Sequence, residues 1–507
     1  MCAICECRNH NIVIINELSN TLAFFILSFI HLRNLSKLII PIVVLITCIP
    51  AEDKTSSPSD RGKIMVEAKP WDRQHPDRPA WALYPSLTAD SLTLPTSPDP
   101  LNAYGSMAEG RKFKATGYFR VRKLHGRWIM VDPVGRAHID ASVSSISPGR
   151  GETNKTAFAE KFKDKEDWAY ITCRELKSYG FNGAGTWSDA ESFQSMNKCH
   201  DDSHFTICPM LNLMSGYAAT QGKTHQLPGH TGYPNQCIPV FDPGFEVYCD
   251  SVLADAAIRY GKDPDVIGYF SDNEMPLGVK NLEGYLDLPE YDYGHRAAIR
   301  WLETKGIRRE EISDDARKEF AGFTADTYYS IVRRSIQKHD PNHMYLGSRL
   351  HGGAKYLKEV YEAAGRHCDV ISMNFYGKWE ISAEDLKRWE NWSDTPFIIT
   401  EFYTKAEDSG LANTTGAGWL VHDQSSRSAH YQNFVIGLLR SRCCVGWCWF
   451  KYMDNDPSAQ GVDPSNMNSN KGCYDNSYHP YADLVEGMRK VNAMRYSIRN
   501  LRKQTDR

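Results

Sequence analysis

The sequence predicts an α/β fold, namely a (β/α)8 TIM barrel with a short N-terminal β-hairpin extension. Eight short apolar segments alternate along the chain with longer amphipathic segments, and strict β–α alternation indicates a parallel sheet. Several of the apolar segments run directly into polar and aromatic residues, as expected where barrel strands meet their loops. A doubly wound open sheet is the alternative, but no glycine-rich phosphate loop follows the first strand, which disfavours a nucleotide-binding version.

Length and composition are those of a globular protein. The chain has 507 residues, of which 41% are hydrophobic and 24% charged, and a barrel with insertions can use most of that length. The formal net charge of −3 provides no basic surface, so no nucleic-acid partner is expected. Aromatic residues make up 11% of the chain, and they can either fill a core or stack on the apolar faces of sugars.

The first 51 residues have the character of a leader segment. The apolar run Leu38–Pro50 follows Arg33 and Lys37 and ends in small and polar residues, which is typical of a secretory signal. The run is short for a membrane span. We therefore expect export to a secreted, periplasmic or cell-surface location, with a lipid anchor at Cys48 or an uncleaved membrane anchor as alternatives. No stable membrane partner is expected unless the leader is retained or lipidated.

Residues 52–115 form a polar, proline-rich N-terminal extension. Within it, Thr55–Asp99 is rich in proline and serine and is expected to be extended or loosely packed. The predicted catalytic domain spans residues 116–507. It opens with a β-hairpin over Gly117–Val131, in which alternating residues flank the turn dipeptide His125-Gly126.

The eight predicted strands and the helical segments between them follow in order. The predicted strands are Ala137–Ile146, Phe181–Trp187, Thr206–Leu213, Val266–Phe270, Met344–Arg349, Val370–Phe375, Phe397–Thr400 and Val445–Phe450. The predicted helical segments are Phe158–Ser178, Phe245–Tyr260, His295–Lys338, Ala354–Ala364, Ala383–Trp392, Asp423–Arg440 and Tyr481–Leu501.

The ten cysteines beyond the leader do not indicate a metal site. None of them forms a paired CxxC pattern, so neither a metal nor a cofactor is expected. Several lie in or beside apolar strands, where a buried free thiol is the simplest interpretation. In an exported chain, Cys199–Cys208 and Cys237–Cys249 are possible disulfides within loops.

Two carboxylates stand at the ends of predicted strands. Glu274 closes the sequence Ser271-Asp272-Asn273-Glu274 after the fourth strand, and Glu401 follows the seventh. A glycosidase needs one protonated acid and one ionised carboxylate facing each other, and their separation decides between retention and inversion. Either residue alone could be a solvated loop carboxylate. Asp272 is expected to be a structural cap or a supporting partner.

Aromatic and histidine residues near the same rim have two interpretations each. Trp447 and Trp449 alternate along the eighth strand, so both point to one face, either as a sugar platform inside the barrel mouth or as core filling. Tyr376 could donate its hydroxyl to a neighbouring carboxylate or simply pack. His351 is expected to lie in a surface loop, with a sugar hydroxyl contact as the alternative.

Several motifs taken together resemble the β-agarases of glycoside hydrolase family 50, within clan A of the retaining glycoside hydrolases. The resemblance runs in continuous order over about Tyr118–Asp456. It is carried by GFNGAGTWSD, VIGYFSDNE, DPNHMYLGSRL, CDVISMNFYG, PFIITEFYT and the stretch from His422-Asp423-Gln424 to GWCWFKYMD.

The resemblance implies hydrolysis of β-1,4 bonds in agarose, with a polysaccharide or oligosaccharide galactan as the binding partner. It implies that Glu274 is the general acid/base and Glu401 the nucleophile. Asn273 would bind the sugar 2-hydroxyl, and Tyr376 would orient Glu401. The remaining residues implied to contact sugar are Trp447 and Trp449 in the first subsite, and Arg349, Asn374 and Trp187 in the cleft wall.

One departure from the resemblance leaves alternatives open. Agarases of this kind commonly carry a large β-sandwich before the barrel, whereas only about 80 residues separate the leader from the barrel here. Porphyran or a soluble β-galactoside could therefore replace agarose as the substrate. A non-catalytic carbohydrate-binding barrel is the alternative from another functional class.

Overall fold

A computed structural model describes residues 62–200 and 204–505, apart from positions 73 and 76. The predicted leader and the first part of the extension lie outside the described residues. Within these ranges, no helix is long and apolar enough to cross a membrane.

The described residues form the following strands and α-helices. The strands are β1 (Ile64–Lys69), β2 (Ala82–Ser86), β3 (Arg120–Leu124), β4 (Arg127–Val131), β5 (Ala137–His138), β6 (Asp140–Val143), β7 (Gly183–Ala184), β8 (Thr206–Ile207), β9 (His225–Leu227), β10 (His230–Gly232), β11 (Gly268–Tyr269), β12 (Met344–Tyr345), β13 (Ile371–Asn374), β14 (Phe397–Glu401), β15 (Thr404–Ala406), β16 (Trp419–Val421) and β17 (Cys444–Trp449). The α-helices are α1 (Glu152–Lys161), α2 (Lys165–Ser178), α3 (Ala190–Cys199), α4 (Leu213–Thr220), α5 (Pro243–Tyr260), α6 (Asn281–Leu286), α7 (Tyr293–Lys305), α8 (Asp314–His339), α9 (Lys358–His367), α10 (Ala383–Trp392), α11 (Gln424–Arg440), α12 (Ala482–Asn492) and α13 (Arg495–Thr505).

The central strands are parallel, and helices connect them. Six strands form one parallel sheet in the order β13-β14-β17-β6-β7-β8, and β11 pairs in parallel with β12. Each of the eight predicted strand segments overlaps one of these strands. The fold is therefore mixed α/β, as predicted.

Six of the eight predicted strands are shorter in the structure than the sequence suggested, and the first and third show why. The segment 137–146 divides into β5, which pairs antiparallel with β4, and β6, which joins the parallel sheet. The third predicted strand ends at Ile207, and its last predicted residue, Leu213, is the first residue of α4. Periodicity alone does not mark these boundaries, since the residues on both sides are apolar.

The predicted hairpin is present as β3 and β4. His125 and Gly126 form its two-residue turn, and both have positive φ, at 49° and 74°. Such a turn matches the right-handed twist of the strands that it joins.

The N-terminal extension is more ordered than the sequence suggested. Strands β1 and β2 belong to a four-stranded sheet with β16 and β15, and Ala68 of β1 lies opposite Val421. Ala68 and Val421 are fully buried beside Trp419. Of the two expectations for this segment, extended backbone is confirmed for β1 and β2, and loose packing is wrong for them. The sequence did not reveal the packing because the partner strand β16 lies more than 300 residues away.

Both faces of the parallel strands are buried. In β14, Phe397 and Ile399 belong to the large apolar cluster that includes the helices, whereas Ile398 belongs to a second, smaller cluster. Strands buried on both faces have near-continuous apolar sequences, which explains why these segments are so apolar.

Candidate active site

The carboxyl ends of the parallel strands border a cleft of about 1200 Å³. Its lining includes five predicted site residues: Trp187, Asn273, Glu274, Tyr376 and Glu401. The rest of the lining comes mainly from loops, within the ranges 145–150, 226–231, 413–417 and 450–466, and from the N-terminal segment at Lys69, Trp71 and Asp77.

Glu274 is buried and held mainly by a neutral donor. Its backbone has a positive φ of 51°, which few non-glycine residues adopt. The Asn374 side-chain amide donates to Oε1 at 2.7 Å. Two histidine nitrogens lie further away, with His351 Nδ1 3.4 Å from Oε1 and His230 Nδ1 3.8 Å from Oε2. Burial raises the pKa of the Glu274 carboxyl above its usual value, against the weaker effect of the Asn374 hydrogen bond.

Glu401 is the last residue of β14, and two donors contact its carboxylate. The Arg349 guanidinium donates to Oε1, and the Tyr376 hydroxyl donates to Oε2 at 2.5 Å. Burial raises the pKa of Glu401, the positive charge of Arg349 opposes that rise, and the nearby Glu274 adds to it. The Tyr376 and Arg349 hydrogen bonds also favour the ionised form.

Arg349 and Asn374 link the two carboxylates. Arg349 is fully buried, and its Nη1 donates to Asn273 Oδ1 at 2.8 Å while its other nitrogen contacts Glu401. Asn374 contacts Glu274 and also donates to Asn273 Oδ1 at 3.3 Å. One hydrogen-bonded network therefore joins five polar residues from four strand ends, namely Asn273, Glu274, Arg349, Asn374 and Glu401.

Asp272 supports the fold beside this network. Its carboxylate accepts from the backbone N–H of Met214 at 2.7 Å and of Ser215 at 3.0 Å, at the start of α4. The hydroxyl of Tyr328 donates to it at 2.6 Å. The prediction that Asp272 is a cap or supporting residue is confirmed.

Trp187 lies at the edge of the cleft with its side chain accessible. It is 41% exposed and has a positive φ of 63°. The guanidinium carbon of Arg349 is 5.8 Å from its ring centroid, within range of a cation–π contact. Trp187 therefore combines an accessible apolar surface with a contact to the carboxylate network.

Trp447 and Trp449 are not in the cleft, so their interpretation as a sugar platform is wrong and the alternative, core filling, is confirmed. Both are fully buried. Trp447 Nε1 donates to the Tyr431 hydroxyl of α11 at 2.9 Å, and Trp449 Nε1 donates to the Lys471 carbonyl at 3.1 Å. The two side chains do share one face, as predicted, but that face packs against α11.

A bulge in β17 accounts for this placement. Phe397 of β14 pairs with Cys444 and Ile398 pairs with Gly446, so Val445 is an extra residue in β17. One extra residue reverses which face the following side chains occupy. As a result Phe450, rather than either tryptophan, lines the cleft.

Most of the cleft lining was not predicted as site residues, and three of these residues illustrate why. His351 was expected in a surface loop, but its side chain lies beside Glu274, and it follows Arg349 by only two positions. Its position just after a predicted strand was the feature of the sequence that could have identified His351 as a site residue. His230 and Trp71 come from segments far from any predicted strand end, so the sequence carried no comparable signal for them.

The described residues contain no cluster of three or more His, Cys, Asp or Glu side chains placed to hold a metal ion. The ten cysteines from Cys173 to Cys473 are all free. The two possible loop disulfides, Cys199–Cys208 and Cys237–Cys249, are therefore not formed.

Comparison with known proteins identifies the family, although no family model matches the chain. The solved structure of BpGH50 is 32% identical, with a TM-score of 0.75, and the match covers 86% of this chain and 95% of that one. The chain belongs to glycoside hydrolase family 50. The resemblance expected from the sequence motifs is thus confirmed.

Two curated relatives of this family member come from Vibrio sp. (strain JT0107). Beta-agarase B is 26% identical over 493 residues, a match that covers 78% of this chain and 50% of the relative. Beta-agarase A is 25% identical over 380 residues, covering 65% of this chain and 36% of the relative. The chain thus spans half or less of the length of these relatives.

A third comparison supports the fold alone. The crystal structure of the agarase AgWH50C is 21% identical, with a TM-score of 0.65, and covers 80% of this chain and 67% of that one.

Proposed function

We propose that this family 50 protein is a retaining glycoside hydrolase that cleaves β-1,4 galactosidic bonds in agarose or a related marine galactan. The names of the two Vibrio relatives support agarose as the substrate class. The observation that carries the proposal is the pair of buried cleft carboxylates, Glu274 and Glu401, each held by a different kind of donor.

We also infer that the parallel strands close into the predicted (β/α)8 TIM barrel. Isolated parallel bridges support closure, because Ile207 pairs with Val266 and Met210 with Phe270 at one gap. At the other gap, Leu350 pairs with Met373. A closed barrel brings the ends of β11 and β14 to the same mouth, and active sites in such barrels lie at that end.

The hydrogen-bond donors around the two carboxyl groups support an assignment of which one is protonated. Glu401 faces a permanent cation and a hydroxyl donor, which stabilise its charge, so we assign it as the ionised nucleophile. Glu274 is buried and its direct donor is the neutral Asn374 amide, so we assign it as the protonated acid. Different environments for the two carboxyls are what this chemistry requires.

The first step forms a covalent intermediate. A Glu401 carboxylate oxygen attacks the anomeric carbon, the glycosidic C–O bond breaks, and Glu274 gives its proton to the departing oxygen. Tyr376 and Arg349 hold Glu401 in one orientation for this attack. Asn273 is fixed by Arg349 and lines the cleft, where it can bind the sugar 2-hydroxyl.

The second step releases the sugar. Water attacks the anomeric carbon, its proton passes to Glu274, and the ester bond to Glu401 breaks. The anomeric configuration is retained because it inverts twice. Splitting the reaction in this way replaces one difficult step with two easier ones.

Activity of the purified full chain on a panel of galactans tests this proposal. We expect release of short oligosaccharides from agarose or porphyran, and no release from carrageenan. Both Glu401→Ala and Glu274→Ala should abolish release, and a circular-dichroism spectrum like that of the wild type should show that each variant is folded at the assay temperature. Turnover by Glu401→Ala on every galactan that the wild type cleaves would refute the assignment.

We propose export as well, on the basis of the leader pattern in residues 1–51. Detection of the processed protein outside the cytoplasm of an expressing cell tests this proposal, and retention of the full-length chain inside would contradict it.

A further inference from the structure

A second cavity lies next to the catalytic cleft. Its volume is about 520 Å³, within the range of pockets that bind small ligands. The residues after β7 and β8 form one side of it, and α5 forms the other. Trp187 and Asn212 line both this cavity and the catalytic cleft, so the two spaces are neighbours across these side chains.

The two shared residues are both held in the left-handed region of backbone conformation. Trp187 has a φ of 63° and Asn212 a φ of 53°. Asparagine tolerates this conformation, but a bulky residue such as tryptophan rarely adopts it. Both side chains are exposed, whereas Trp168, Trp389, Trp447 and Trp449 are fully buried. The fold therefore displays one large aromatic ring between two cavities.

The lining of the second cavity suits an uncharged sugar. Pro209, Met210 and Leu211 provide an apolar wall beside the indole of Trp187. Polar side chains stand at the rim, where Arg259 Nη1 and Glu191 Oε1 form an exposed ion pair at 3.4 Å. A sugar ring presents an apolar face for stacking and hydroxyls for hydrogen bonds at its edge, and both kinds of partner are present here.

We propose that this second cavity is an outer subsite for the galactan chain, which continues past Trp187 from the catalytic cleft. The inference rests on the proposed function, because it takes the occupant to be the remainder of the same substrate. It predicts that longer oligosaccharides bind more tightly than short ones, and that the advantage depends on residues of the second cavity alone.

A larger side chain on α5 that fills the second cavity tests the proposal. Val252 lines the second cavity but not the catalytic cleft, so Val252→Trp should block the outer subsite. Arg259→Ala removes a rim donor and, being on an exposed side chain, carries little risk for folding. Ile258→Trp is the matched control, because Ile258 lies on the same helix, is 84% exposed and lines neither cavity.

Two measurements are needed. The first is kcat/KM for neoagaro-oligosaccharides of increasing length, starting from the shortest that the wild type cleaves. The second is calorimetric binding of the same oligosaccharides by Glu401→Gln, alone and combined with each variant. We expect Val252→Trp to lower both quantities for the long oligosaccharides by about tenfold, which corresponds to about 1.4 kcal/mol of binding free energy, and to leave the shortest unchanged. Arg259→Ala should give a smaller loss of the same kind.

The outcomes separate this inference from the proposed function. The inference is overturned if long oligosaccharides still bind and react better than short ones in both Val252→Trp and Arg259→Ala. It is also overturned if the variants lose affinity and kcat/KM equally at every length, or if the wild type shows no preference for long oligosaccharides. If the wild type cleaves oligosaccharides without regard to length, the function stands and the outer subsite is wrong. If nothing is cleaved but binding by Glu401→Gln shows the lost advantage, the outer subsite stands and the catalytic assignment is wrong.

Discussion

The hydrogen bond from Tyr376 to Glu401 should set the acidic limb of the pH–rate profile. The hydroxyl donates to Glu401 Oε2 at 2.5 Å, so Tyr376→Phe removes one donor from the nucleophile and keeps the ring in place. Burial of Glu401 already raises its pKa, and the Tyr376 hydrogen bond is one of the contacts that oppose that rise. Its removal should therefore raise the pKa of Glu401 further.

The size of this rise follows from the strength of such a bond. Hydrogen bonds to charged groups contribute about 1.5–3 kcal/mol, and a pKa difference of one corresponds to about 1.4 kcal/mol. We therefore expect the acidic limb of kcat/KM to move to a pH that is higher by roughly one to two. Glu401 must be ionised to attack, so at a fixed pH below that limb kcat/KM should fall by about ten- to a hundredfold.

The assay is the pH dependence of kcat/KM on a galactan oligosaccharide, for the wild type and Tyr376→Phe. Tyr361→Phe is the matched control, because the Tyr361 hydroxyl is buried with no hydrogen-bond partner and lies outside the cleft. Its profile should match that of the wild type. An acidic limb that does not move in Tyr376→Phe, or a change confined to the basic limb, would refute the role assigned to Tyr376.

Three further predictions concern the same network and its surroundings. Arg349→Met should lower kcat/KM at least a hundredfold, because it leaves the buried Glu401 without its cation. For the same reason it should lower the free energy of unfolding by about 3–5 kcal/mol in a denaturant titration, and a change below about 1 kcal/mol would contradict this. Glu274→Gln should lose turnover of galactans but keep the first chemical step on an aryl galactoside whose leaving group needs no protonation, seen as a burst of phenol, and equal loss on both substrates would exclude Glu274 as the acid. Trp447→Ala should cost about 3–5 kcal/mol of stability in the same titration and leave the KM of the folded protein unchanged. Phe450→Ala should lower stability and also raise KM, because Phe450 is buried and lines the cleft. A raised KM in Trp447→Ala would contradict the position of Trp447 outside the cleft.

The positions of the parallel strands were predictable from the sequence because their residues are apolar on both faces. Segments such as Phe397–Thr400 are recognisable as short apolar runs that end abruptly in polar residues. Because both faces of these strands are apolar, the sequence does not show on which face of the sheet a given side chain lies. Trp447 and Trp449 could be assigned to one face, but the bulge at Val445 depends on pairing with β14, which no local pattern reveals.

The two carboxylates were predictable for a related reason. Glu274 and Glu401 each follow an apolar run, although they are more than 100 residues apart in the sequence. The resemblance of both motifs to family 50 indicated that the two carboxylates belong to one site. The residues that support them were only partly predictable. Tyr376 follows a predicted strand, but His230 lies on the β9–β10 hairpin, which no prediction placed near the cleft. Trp71 reaches it because β1 pairs with β16, a contact between segments more than 300 residues apart.

The anomeric configuration of the first-formed product tests the central claim most directly. Proton NMR, recorded during the first turnovers before mutarotation, distinguishes the two anomers of the new reducing end. A catalytic pair with Glu401 as nucleophile and Glu274 as acid/base predicts that the β configuration of the cleaved bond appears first. Initial accumulation of the α anomer would mean a single displacement by water, and would contradict the nucleophilic role of Glu401.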